Sequence, residues 1–357
     1  MVKIEPFQVE QWMDRYETTP GVINTAETCV ASVSIDELIA LSSDKKAKLL
    51  NFSLPLTYGA IRGSDQLRQR VADLVSKGAS TPLPAENVLI TQGAIGANFL
   101  LLYTLIGPGD HVVCVHPTYE QLYAVPGHLG AEVSLWKLKA ENGYVPDVSE
   151  LESLVRSNTK LIVLNNPNNP TGSVIPRGVL EQIVSFAQAR DITIMSDEVY
   201  APLFHSLAPS EQPPPSILSL GYTKTVATGS MSKAFSLAGI RLGWIASRDS
   251  SLIEAVASAR DYTTISVSQL DDQVASYALS PAVLPSLVER NLGIARTNLE
   301  LLDGFVRRYG SVCSWVKPKA GTTALVQFRK GGEPVDDESV LREGLRKLGA
   351  YVEEYLM

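Results

Sequence analysis

At 357 residues the chain is long enough for two domains built around a substantial core. With 45% hydrophobic and 19% charged residues, its composition excludes extended disorder as the main state. The net charge of −7 leaves no basic footprint for nucleic acid or an anionic membrane.

The chain opens with an aromatic and acidic stretch, residues 7–16, then a polar turn region and an amphipathic helix over residues 35–41. Residues 1–50 read as an arm. A loop carrying Tyr58, Gly59, Arg62 and Gly63 follows, and Ser64 is placed to cap a helix over residues 64–77. Short apolar runs then alternate with helical patterns, the signature of crossover units and a largely parallel sheet. Strands are expected at residues 88–91, 111–116, 132–138, 160–165, 192–196, 225–228 and 242–247, with helices at 95–106, 120–129 and 177–190. Turn signals punctuate them at Gly107-Pro108-Gly109-Asp110 and from Pro167 to Gly172. After Ile265 a long helical stretch, residues 269–306, changes the rhythm, and strands at 314–317 and 324–328 with a helix at 338–348 read as a smaller α+β unit. The expected organisation is therefore an arm (1–50), a large α/β domain (51–265) and a small C-terminal domain (266–357).

Cys29, Cys114 and Cys313 are odd in number and widely spaced, as reduced cysteines are, and the four histidines fall in no zinc spacing, so no metal is expected. The N-terminus has no apolar signal region and no run approaches the roughly 20 apolar residues that span a bilayer, so neither a membrane nor a nucleic-acid partner is expected and the cytoplasm is the expected compartment.

In open α/β sheets ligands gather at the carboxyl ends of the strands. The polar residues there are Gln92-Gly93-Ala94, Pro117-Thr118-Tyr119, Asn169-Pro170-Thr171-Gly172, Asp197-Glu198-Val199-Tyr200 and Ser230-Met231-Ser232-Lys233, with Arg241 eight residues on. In this order and spacing they resemble the class I/II aminotransferases, fold type I enzymes that carry pyridoxal 5′-phosphate (PLP), and the resemblance runs from about Tyr58 to the end of the chain.

The resemblance implies a mostly parallel seven-stranded sheet in the large domain and a role for each position. Lys233 holds PLP as an internal aldimine and then acts as acid and base on the way through a quinonoid. Asp197 keeps the pyridine nitrogen protonated, Asn169 and Tyr200 bond the cofactor's 3′ oxygen, and Tyr119 stacks on the ring. Gly93, Ala94 and Ile95 open a helix whose amides hold the phosphate, with Ser230 and Arg241 completing the cradle. Tyr58 is similar to the tyrosine that reaches the phosphate of the other subunit, which implies a homodimer with shared active sites and a small-molecule amino acid as substrate.

Two departures bear on the reaction. Family members grip the substrate carboxylate with an arginine of the small domain, whereas this sequence enters the corresponding strand at Gly349-Ala350-Tyr351-Val352 and ends at Met357, which makes the small domain short; Arg260 and Arg62 are the candidate substitutes. The segments around Trp12, Glu27 and Arg260, and the Gly321-Thr322-Thr323 segment, are closer to the capreomycidine synthase-like subgroup, in which the same cofactor set runs elimination and ring closure on arginine derivatives. Amino transfer on an L-amino acid is the expected reaction, a lyase or cyclase on an arginine-derived amino acid the alternative, and a regulatory PLP-binding protein without turnover the third.

Overall fold

In the computed structural model, which describes residues 5–22, 26–330 and 333–334, the alternating apolar and helical segments form a seven-stranded sheet flanked by helices. The elements run α1 (Gln8–Tyr16), α2 (Ile35–Ala40), α3 (Asp65–Val75), β1 (Val88–Thr91), α4 (Gly93–Leu105), β2 (His111–His116), α5 (Gln121–His128) and β3 (Glu132–Lys137). They continue with α6 (Leu151–Leu154), β4 (Thr159–Asn165), α7 (Arg177–Gln188), β5 (Thr193–Asp197), β6 (Thr225–Ser230), β7 (Gly243–Ser247), α8 (Ser250–Arg260), α9 (Gln269–Ala278) and α10 (Leu284–Arg308). A second sheet follows, from β8 (Cys313–Trp315), β9 (Val326–Lys330) and β10 (Glu333–Pro334), in the order β10-β9-β8.

The large sheet has the order β1-β7-β6-β5-β4-β2-β3, parallel except where β7 runs against both its neighbours. Its central strands β4, β5 and β6 are buried along nearly their whole length because both faces are covered. Successive side chains point to opposite faces, so Val113, Ile162, Leu164 and Ile194 join one core while Val112, Leu161, Val163 and Met195 join the other. This double burial fixes the strand register, and the register sets which residues meet at the carboxyl edge.

Helix boundaries follow from capping chemistry. Ser34 and Glu37 form a reciprocal capping box at α2, and the Ser64 hydroxyl accepts the Leu67 amide at 3.2 Å at α3, each of the kind worth about 1 kcal/mol. The helical stretch expected over residues 269–306 is instead two helices, α9 and α10, parted by a turn at residues 279–283. Pro281 has no amide hydrogen to donate and disfavours a helical residue before it, so the chain breaks at Ser280. Val274, Ala275, Tyr277 and Leu287 nevertheless pack into the same core as the large sheet. The expected helix at 338–348 lies outside the described residues, and no described helix is long and apolar enough to cross a membrane.

Candidate active site

The register puts Asn165, Asp197 and Thr228 side by side at the carboxyl ends of β4, β5 and β6. Asp197 is 3% exposed, and its carboxylate is held from two sides, by Asn98 Nδ2 at 2.8 Å and by the Val199 amide at 3.2 Å. Asn98 is itself fixed, because its side-chain oxygen accepts the Thr228 hydroxyl at 2.7 Å. Burial raises the Asp197 carboxyl to about 6, against which the Asn98 bond, the Val199 amide and the charge of Lys233 pull it down. A buried carboxylate so placed is matched to a cation or an N–H donor arriving from the cavity.

Asn165 extends the network, donating to the Asp197 carbonyl at 3.1 Å and accepting the Asn169 amide at 2.7 Å, which sets the turn that carries Asn169. Tyr200 shares the cavity wall with Thr28 and Asn169, and burial holds its hydroxyl proton on well above the usual phenol range. Tyr119 donates to Glu10 Oε1 at 2.9 Å and packs its ring on Phe7, centroids 5.3 Å apart.

Lys233 follows β6 in a loop that closes on itself. The Met231 amide bonds the Leu242 carbonyl and the Leu237 amide bonds the Met231 carbonyl, while Asn291 of α10 donates to the Ala234 carbonyl at 2.9 Å. These ties fix the loop although Lys233 is only partly buried. Its Nζ donates to Thr28 Oγ1 at 2.5 Å and lies 3.4 Å from Cys29 Sγ.

At the other end of the cavity Arg241 meets the N-terminus of α4. Gly93 has φ +68°, and a Cβ there would lie 3.1 Å from an Arg241 guanidinium nitrogen. Gly243 is packed still more tightly, since its Cβ would fall 2.4 Å from the Gly93 carbonyl carbon. Two glycines thus let β7, the loop and the helix amides converge, with Ser230 adjacent.

Lys233, Asp197, Tyr200, Asn169, Tyr119, Ala94, Ile95, Ser230 and Arg241 all line one cavity of about 570 Å³, and Gly93 borders it through Arg241. The set fits PLP: one anion-binding end, one buried carboxylate, hydroxyl and amide donors between them and one amine. Thr118 Oγ1, also in the wall, is buried with no hydrogen-bond partner. Tyr58 does not line the cavity and is 78% exposed.

The two arginines expected to substitute at the carboxylate do not reach this cavity. Arg260 is 1% exposed and donates from Nη1 to the Ile90 carbonyl at 2.7 Å and from Nε to the Ile265 carbonyl at 3.0 Å, so it ties the 260–265 turn to β1. Arg62 is paired with Glu254 of α8, Nη1 to Oε1 2.7 Å. Among the described residues Arg241 is the one guanidinium in the wall, and Gly349 to Val352 lie outside them.

Several wall residues escaped sequence reading. Asn98 carried a signal, as a buried amide in a helix otherwise apolar from Ala97 to Leu102. Glu10 and Glu17 carried none, and the segments holding Trp12 and Thr28 carried a family resemblance but no sign of the cavity, because arm residues reach it only through the tertiary fold.

The family model for aminotransferase class I and II matches residues 38–352. Capreomycidine synthase of Streptomyces vinaceus is 32% identical over 273 residues, 76% of this chain and 66% of that protein. An arginine–pyruvate transaminase of Pseudomonas aeruginosa is 33% identical over 188 residues, 53% of this chain and 47% of that protein, so these matches span roughly two thirds and half of the relatives' own length. The crystal structure of a PLP-dependent aminotransferase from Streptococcus suis superposes with a TM-score of 0.83 at 35% identity, covering 99% of both chains. Sequence, fold and the order of the wall residues agree: this chain belongs to the class I and II aminotransferase family.

Proposed function

We propose that this chain is an enzyme that binds PLP through Lys233 and processes an L-amino acid, with amino transfer as its reaction. The observation that carries the reading is that Lys233, Asp197, Tyr200, Asn169 and Arg241, separated by up to 72 positions in the sequence (241 − 169), line a single cavity. When bound, the cofactor supplies an electron sink for the carbanion left when the substrate Cα loses its proton. Lys233 Nζ would take that proton, from a position set by the loop ties described above. Asp197 would hold a proton on the pyridine nitrogen, with Asn98 preventing the carboxylate from turning away. Arg241 and the first amides of α4 would hold the phosphate.

A second reading has its own observation. Glu10, Glu17 and Glu27 all stand in the cavity wall beside Phe7 and Trp12. Carboxylates and aromatic faces together suit a cationic side chain such as a guanidinium. In this reading the substrate is arginine-like and the reaction ends in elimination or ring closure, the direction in which the capreomycidine synthase match also leans.

Incubation of the PLP-loaded protein with single amino acids separates the two. Amino transfer predicts accumulation of the aminated cofactor and an oxo acid. Return of the starting spectrum with a cyclic product or free ammonia would overturn it in favour of the second reading, and a protein that takes up no PLP would overturn both.

Phe52, Leu56, Tyr58, Ile61, Tyr262 and Ile265 are all exposed, which supports a homodimer, because large apolar groups left in solvent are suited to burial against a second copy.

A further inference from the structure

Most groups that touch the reactive end of the cavity come from the large sheet, but the group bonded to the lysine amine does not. Thr28 belongs to the arm, and it is anchored at its own carbonyl and through the residues that follow it. Val30 and Val33 are buried, the Val33 amide bonds the Ser236 carbonyl at 3.1 Å, and Arg290 of α10 donates to the Ala31 carbonyl at 3.0 Å. The Thr28 carbonyl accepts the Thr322 hydroxyl at 2.5 Å, next to Gly321, whose Cβ would lie 3.4 Å from the Tyr200 ring. Backbone ties therefore fix where Thr28 stands, and its hydroxyl is left to the site: it accepts from Lys233 Nζ in the same cavity wall as Tyr200 and Asn169.

We propose that Thr28 is a positioning residue, supplied by the arm, that holds the Lys233 amine in place in the cavity. This rests on the reading of Lys233 as the reactive amine. A lysine side chain is long and flexible and loses much rotamer freedom when held still, so an amine that must meet one substrate hydrogen gains from a fixed acceptor beside it. A threonine hydroxyl suits the task because it has one hydrogen to give and two lone pairs to accept with. While the lysine carries its full set of hydrogens, the Thr28 oxygen accepts from it. Once the amine is the free base, the same oxygen still holds one N–H. The proton removed from the substrate Cα ends on Nζ, and Thr28 keeps its own throughout, so no other group changes charge. Correct docking of the arm thereby becomes a condition for an aligned base.

The test compares Thr28→Val, which keeps shape and backbone ties but removes the hydroxyl, with Thr28→Ser, which keeps the hydroxyl; Thr28→Ala is the second hydroxyl-free variant should valine disturb folding. Two readouts are taken. One is the rate of acylation of the Lys233 amine in cofactor-free protein at one fixed pH, followed by peptide mass, and the other is kcat and KM of the PLP-loaded protein. Loss of the acceptor is expected to raise the acylation rate several-fold, because the amine is released from its partner, and to cut kcat about tenfold with KM little changed, and serine is expected to restore both. A valine or alanine variant with wild-type acylation rate and kcat, or a serine variant as impaired as valine, would overturn the proposal. Failure of the wild-type protein to take up PLP would sink the functional reading while leaving the acylation result standing.

Discussion

The sheet-side wall of the cavity is built from side chains that are buried and bonded to one another, whereas much of the arm-side wall stands in solvent and is held by single contacts. Asp197, Asn98, Thr228 and Asn165 form a closed set in which each polar group restrains the next. By contrast α1, which supplies Glu10, Trp12 and Met13 to the same cavity, has no buried residue and rests on contacts such as Glu10 with Tyr119 and Phe7 with Tyr119. The difference teaches that one wall is suited to fixing chemistry and the other to being altered. A change in the closed set leaves buried partners unsatisfied, while a change on α1 removes one contact and exposes nothing new.

The largest effect that would break this contrast is at Asp197. Asp197→Asn is expected to reduce turnover by about 10²- to 10⁴-fold, measured as kcat/KM on whichever amino acid the wild type accepts, because an amide cannot hold the pyridine nitrogen protonated. Its effect on stability depends on pH. The folded carboxyl is raised from 3.8 to about 6, so the native state binds more protons than the unfolded chain between those values, and stability is lost as pH rises through them. The asparagine variant keeps one acceptor oxygen for the two donors, Asn98 and Val199, but loses this pH dependence, so in cofactor-free protein its melting temperature should rise relative to wild type between pH 5 and pH 8; a difference that does not change with pH would contradict the burial argument.

Arg241 comes next. Arg241→Gln is expected to weaken PLP binding by about ten- to a hundredfold in an absorbance titration, the range for one charge-assisted hydrogen bond. A smaller effect is expected from Glu198, which lies beside Asp197 outside the cavity wall. Burial raises its carboxyl to about 7, and its Oε1 accepts the Ile217 amide at 2.9 Å. Glu198→Gln should raise the melting temperature at pH 8 relative to pH 6 and leave turnover within a few-fold.

On the arm side, Glu17→Gln and Glu10→Gln should change activity by only a few-fold on neutral amino acids. If the second reading of function holds, they should instead raise KM selectively for arginine-like substrates, by up to about tenfold. Equal losses on neutral and cationic substrates would show that the arm wall does not read the side chain.

How much of this was legible in the sequence follows the same division. The sheet-side wall could be read because strand ends and the turns after them are local: Asn169, Asp197 and Lys233 each stand a fixed few residues beyond an apolar run. Thr28 and α1 could not, since a residue between elements and a short helix with no buried residue join no core pattern that would place them at the cavity. Arg260 was misread for a related reason. An arginine after a helix is equally able to bind a carboxylate or to satisfy backbone carbonyls, and only the fold shows that Ile90 and Ile265 take its donors.

The central claim, that Lys233 is the reactive amine of a PLP site, is tested most directly by adding PLP, reducing with borohydride and mapping the modified peptide. A visible band that appears with PLP, is bleached by reduction with the label on Lys233, and is absent in Lys233→Ala is the expected result. A label on another lysine, or a band that survives in Lys233→Ala, would contradict the account.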